Sequence, residues 1–154
     1  MRLLMVCLGN ICRSPLAEGI MKAKAKKYNI DIEVDSAGTA AYHVGEMPDS
    51  RSMEVAFKNG IDLSDQRARK FQTSDFDRFD KILAMDRYNF SDLAAKARNG
   101  SDSAKIEMIL NKTSPGENRD VPDPYYGGKD GFDKVYKMLD DACEVIAQEI
   151  ASGS

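Results

Sequence analysis

The hydrophobic pattern begins with an unbroken apolar run, "RLLMVCL" at Arg2 to Leu8, and then changes period. A continuous run of that length predicts a strand buried on both faces of a parallel sheet. From Ser14 the spacing turns helical. Leu16, Ile20, Ala23 and Lys27 recur at steps of three or four, Pro15 suits a first turn, and Lys24, Lys26 and Lys27 complement the negative end of a helix dipole. "IDIEVDSAG", Ile30 to Gly38, predicts a second short strand, giving a strand, helix, strand unit with a right-handed crossover as the default.

The alternation continues less regularly. "PDSRSMEVAFKNG" offers Asp49 or Ser50 as a helix cap, a stripe through Met53 and Phe57, and Gly60 as a stop. "TSDFDRFD" reads as a short acidic helical turn, "KILAMD" at Lys81 to Asp86 as a third buried strand, and "YNFSDLAAKA" as helix. "AKIEMIL", Ala104 to Leu110, fits a fourth strand, with helix as the alternative. "NKTSPGENRDVPDPYYGGKDG" is the least periodic stretch, and a loop of that length inside a compact domain signals function or disorder. A closing helix carries its apolar stripe at Phe132, Val135, Leu139, Ala142, Ile146 and Ile150. The expected architecture is α/β: one domain over residues 1–154, a doubly wound four-stranded parallel sheet with helices on both faces, and a frayed tail at 152–154.

Composition narrows the function classes. At 154 residues one core suffices, and a formal charge of -3 gives no footprint for nucleic acid or an anionic membrane. The N-terminal apolar run is too short to span a bilayer and lacks a signal-peptide cleavage site, so a soluble, cytoplasmic protein is expected. Three cysteines argue against a disulfide framework.

The candidate chemistry lies where the first strand hands over to the first helix. In doubly wound sheets ligands bind beyond the carboxyl ends of the strands, which is where "CLGNICRS" falls. Unpaired backbone N–H groups of Leu8, Gly9, Asn10, Ile11, Cys12 and Ser14 would form a concave anion cradle, with Gly9 and Asn10 tolerating left-handed backbone and Arg13 gripping two oxygens. Cys7 makes the site reactive: a thiol among helix N-terminal dipoles and a guanidinium should be held as thiolate, set for in-line attack on a phosphoester. Ser14 can donate a hydrogen bond to that sulfur. A departing alkoxide or phenoxide needs a proton, and Asp123, stiffened between Pro122 and Pro124, is the candidate acid, later base toward water. Tyr125 and Tyr126 beside it suggest an aromatic substrate. The single histidine, His43, has no obvious partner in the sequence, and Cys143 sits at core spacing. A nucleotide-binding P-loop is excluded, since "G-x-x-x-x-G-K-[ST]" does not occur.

"CLGNICRSPLAEG", "VDSAGT", "GIDLS", "ILAMD" and "DPYYGG", in this order and at these spacings, resemble the low-molecular-weight protein tyrosine phosphatases over essentially the whole chain. The resemblance implies a four-stranded parallel sheet, no cofactor and no metal, and hydrolysis of phosphotyrosine in proteins to inorganic phosphate, with Cys7 as nucleophile, Arg13 as phosphate clamp and Asp123 as acid/base. It further implies that Asn10, Ser14 and Ser36 brace the loop, that Tyr42, Tyr125 and Tyr126 wall the cleft, and that Cys12 can form a reversible disulfide with Cys7. By analogy with bacterial members, a tyrosine kinase is a candidate substrate. One departure is visible: many relatives carry a histidine in the stretch "GIDLSDQRARKF", where Asp65 or Gln66 now stands. Three rivals are set against this reading. Arsenate reduction needs resolving cysteines that are missing between Cys12 and Cys143; arginine-phosphate hydrolysis goes with threonine where Ile11 stands; a non-catalytic phosphoprotein-binding module would need neither thiolate nor acid.

Overall fold

The computed structural model describes residues 1–128 and 130–153, with the side chain of Tyr126 outside that description. Four parallel strands form one sheet: β1 (Arg2–Cys7), β2 (Glu33–Gly38), β3 (Lys81–Ala84) and β4 (Ile106–Met108), in the spatial order β2-β1-β3-β4. The register pairs Cys7 with Gly38, Val6 with Ala84, and Ala84 with Met108, so the carboxyl ends of the strands come out together. The order reverses beside β1, and that switch point is where an open sheet leaves a crevice.

The unbroken apolar run of β1 is explained by two cores. Leu3, Met5 and Cys7 face one layer, built from α1 (Arg13–Lys27), α2 (Ser50–Lys58) and the closing α6 (Gly131–Ala151). Leu4 and Val6 face the other, where Phe71, Phe76, Phe79 and Leu93 cover the sheet from α3 (Asp75–Arg78), α4 (Arg87–Lys96) and the segments leading into them. A short α5 (Gly100–Ala104) leads into β4. No described helix is long and apolar enough to cross a membrane.

Several expected details differ. In α1 the buried face runs through Leu16, Ala17, Ile20, Met21 and Ala25, while Ala23 and Lys27 are exposed: the amino-terminal half of this helix is enclosed all round by sheet, α2 and α6, so a single stripe does not describe it. Phe57 is 75% exposed, because the nine-residue α2 buries Ser52, Val55 and Ala56 instead. β2 starts at Glu33, since Tyr28, Asn29 and Ile30 donate their N–H groups back to the last turn of α1 and close it first. β4 is only three residues long because Ile109–Lys112 winds into a 3-10 turn. Asp49, rather than Ser50, caps α2, its carboxylate accepting from the Arg51 N–H.

Candidate active site

The loop after β1 is shaped by bonds that draw its carbonyls outward. Cys7 O and Leu8 O accept from the N–H groups of Thr39 and Ala40, Ile11 O from Asp49, and Cys12 O from Leu16. The N–H groups of Gly9, Asn10, Ile11 and Cys12 donate to no backbone or side-chain group among the described residues. A loop with its carbonyls tied back and its donors free, at a helix N-terminus, is an anion cradle. Asn10 does adopt left-handed backbone, at φ 58°. Gly9 does not; a Cβ there would meet His43 Cδ2 at 3.0 Å, a tight contact with a partly exposed side chain that has room to give.

Cys7 is the last residue of β1 and its Sγ lies 2.9 Å from Ser14 Oγ. The direction of that bond follows from the atoms behind it. Arg69 N–H donates to Asn10 Oδ1, which fixes the amide, and Asn10 Nδ2 donates to Ser14 Oγ and Ser36 Oγ, each at 2.9 Å. Ser36 Oγ in turn donates to the Glu18 carboxylate at 2.6 Å, whose other oxygen pairs with Lys22. Ser14 therefore accepts from Asn10 and keeps its own hydrogen for the Cys7 sulfur. Asn10, Ser14, Glu18 and Ser36 are all buried, so these bonds are unscreened by water. Gln66 does not join them. It donates to Pro15 O at 3.1 Å, and its Oε1 is buried without a partner among the described residues; Asp65 is exposed.

Arg13, 7% exposed, uses one nitrogen to anchor itself: Nη1 donates to Asp86 Oδ2 at 2.7 Å and to Val121 O at 2.9 Å. Asp86 Oδ1 meanwhile caps α4 through the Asn89 N–H. Burial works against the Arg13 charge, and the neighbouring Cys7 and Asp86 more than offset it, holding the guanidinium above its ordinary value. Nε and Nη2 have no described protein partner and are left for two anion oxygens.

A cleft of about 150 Å³ opens above this loop, lined by Cys7, Leu8, Gly9, Ile11, Cys12, Arg13, Tyr42, His43, Asp123 and Tyr125. The structure thus brings together the expected nucleophile, clamp and acid, together with two of the three expected aromatic walls. Tyr126 is the third, and its side chain lies outside the described residues. Asp123 precedes a 3-10 turn, Pro124–Tyr126, and its Oδ1 accepts from the Tyr125 N–H at 3.0 Å. Burial, with the negative charge of Asp49 adding, pushes the Cys12 thiol up to about 12, which leaves it protonated at neutral pH. His43 has the partner that the sequence did not suggest: Nδ1 lies 2.8 Å from Glu46 Oε2. Four residues behind the site were not assigned to it in the sequence: Glu18, Arg51 and Asp86 were not singled out, and Asp49 was expected only as a helix cap. Glu18 and Asp86 had a local signal, an acid one turn beyond Ser14 and a polar end to a buried strand.

Residues 2–153 match the family profile described as low molecular weight phosphotyrosine protein phosphatase. A Schizosaccharomyces pombe protein of the same description is 44% identical over 153 residues, 97% of either chain. Among solved structures, a protein tyrosine phosphatase from Entamoeba histolytica superposes with TM-score 0.91 at 40% identity, over 99% of this chain and 98% of the other. A drosophila arginine phosphatase follows at TM-score 0.89 and 33% identity, over 97% and 98%. With a near full-length match in both sequence and fold, this chain belongs to the low molecular weight phosphotyrosine protein phosphatase family.

Proposed function

We propose that the protein hydrolyses phosphotyrosine in proteins through a phosphocysteine on Cys7. The observation that carries this reading is the Cys7 sulfur, facing the Ser14 hydroxyl at the floor of a cleft that Arg13 and Asp123 share. A phosphoryl group in the cradle presents phosphorus to the sulfur, with Arg13 Nε and Nη2 on two of its oxygens. The S–P bond forms as the P–O bond to the tyrosine ring breaks, and Asp123 delivers the proton to the leaving oxygen. Water then attacks phosphorus, Asp123 takes its proton, and Cys7 leaves as thiolate toward the Ser14 hydroxyl, releasing inorganic phosphate. Exposed rings of Tyr42 and Tyr125 at the mouth favour an aromatic leaving group.

The drosophila arginine phosphatase supports a second reading, phosphoarginine as substrate. Ile11 at the lip of the cleft weighs against it, since apolar bulk suits an aryl ring better than a guanidinium. The test is phosphate release from an aryl phosphate, with phosphoarginine and arsenate assayed alongside, for the native protein, Cys7→Ser and Asp123→Asn. Turnover of the aryl ester, abolished in Cys7→Ser and slowed in Asp123→Asn most where the leaving group is poorest, upholds the reading. Turnover of phosphoarginine or arsenate alone would retain the oxyanion site and overturn the substrate.

A further inference from the structure

Asp49, Arg51 and Tyr125 make a closed set of contacts at the edge of the cleft that the phosphoryl chemistry does not use. The Tyr125 hydroxyl donates to Asp49 Oδ2 at 2.7 Å. Asp49 also accepts from Arg51 Nε and Nη2 at 3.1 Å each, and its backbone N–H donates to Ile11 O at 2.7 Å. The Arg51 guanidinium lies over the Tyr125 ring at 4.3 Å and the Phe132 ring at 4.8 Å. At its other end Tyr125 gives its N–H to the Asp123 carboxylate. A continuous hydrogen-bonded route therefore runs from Asp123 through Tyr125 and Asp49 to Ile11 of the phosphate loop.

The route has a mechanical reason. Asp123 is exposed, on a loop far in sequence from Cys7, while proton delivery to a leaving oxygen tolerates misplacement of well under 1 Å. Tyr125 is 48% exposed, so burial does not hold it; a charge-assisted phenol to carboxylate bond does. Both partners carry its mark. The hydrogen bond to Asp49 pushes the Tyr125 phenol up to about 12, and bonds from Arg51 and Tyr125 outweigh the burial of Asp49 and hold its carboxyl below the usual range. We infer that Asp49, Arg51 and the Tyr125 hydroxyl are positioning residues that latch the Asp123 loop to the phosphate loop. The inference rests on Asp123 acting as the general acid.

The experiment measures kcat/KM along a series of aryl phosphates from good to poor leaving groups, for Tyr125→Phe, Asp49→Asn and Arg51→Gln, each alone and with Asp123→Asn. Tyr125→Phe keeps the ring and removes no helix cap, so it remains informative should Asp49→Asn fold poorly. The expected result is a loss of about tenfold or more for the poorest leaving group in Tyr125→Phe, a change within about twofold for the best, and no added loss once Asp123 is Asn. A loss equal along the series, or additive with Asp123→Asn, assigns Tyr125 to the cleft wall and overturns the latch alone. If Asp123→Asn itself shows no dependence on the leaving group, the acid assignment falls and the latch with it.

Discussion

A single hydroxyl illustrates how the site works at the scale of residues. Ser14 Oγ accepts from Asn10 Nδ2 because that amide is pinned by Arg69 N–H, so its hydrogen points at the Cys7 sulfur. Hydrogen bonds to a charged group contribute about 1.5–3 kcal/mol. Ser14→Ala should therefore lower the rate of phosphate release by roughly ten- to a hundredfold with phosphate binding much less affected, read as a fall in kcat against an inhibition constant for inorganic phosphate. Ser36→Ala, two bonds further from the sulfur, should follow with a smaller loss. The proposed nucleophile and clamp could be named from the sequence, because Cys7, Arg13 and Ser14 lie within one loop and the start of one helix. Their supports were not: Arg13 meets Val121 across 108 positions and Tyr125 meets Asp49 across 76, and no local spacing encodes such pairs. Gln66 shows the converse, a residue aligned by sequence with a loop support that faces Pro15 instead, leaving Glu18 to accept from Ser36.

Among the elements, the segment carrying Asp123 depends on how closely it can approach α6. A Cβ on Gly131, the first residue of that helix, would sit 2.7 Å from Pro124 O, and one on Gly127 would sit 2.8 Å from Gly131 Cα. Both neighbours are backbone, which has little room to give. Gly131→Ala should destabilise the fold by about 1–3 kcal/mol in denaturant melts and displace Asp123 from the cleft. Its activity loss should accordingly grow as the leaving group becomes poorer, whereas a change confined to the helix would leave that dependence flat. Apolar run length and helical period disclosed the elements themselves, since they are local. They failed where enclosure is not one-sided: the first half of α1 is buried on every side, and the short α2 presents Phe57 to solvent.

For the whole molecule, α1 and α6 lie side by side on the same face of the sheet, and an ionic patch joins their rims. Lys24 bridges Asp140 and Glu144 at 3.0 Å each, and the Tyr28 hydroxyl donates to Glu144. Hydrogen bonds from Tyr28 and Lys24 hold the Glu144 carboxyl at about 2, below its ordinary value. A depressed carboxyl contributes stability above its unfolded value of about 4.3 and loses it as the pH falls through the folded value. Glu144→Gln should thus cost about 1 kcal/mol or less at neutral pH, being partly exposed, and the gap to the native protein should close between about pH 4 and pH 2 in thermal melts. A gap that persists at pH 2 would place the effect in packing. The same architecture sets Cys7 at the end of β1, one of the two inner strands, beside the point where strand order reverses. The α/β alternation made a layered parallel sheet legible in the sequence, but the strand order β2-β1-β3-β4 was not, since no local spacing says which strands pair.

The central claim is a covalent phosphoryl group on Cys7, and trapping it is the most direct measurement. The native enzyme is quenched in acid during turnover of an aryl phosphate, digested, and its peptides weighed, with Cys7→Ser as the control. One phosphoryl group on the peptide that contains Cys7, absent from the control and from protein quenched without substrate, is the expected result. Phosphate released at full rate with no phosphoryl group on Cys7, or with it on another residue, would contradict the account.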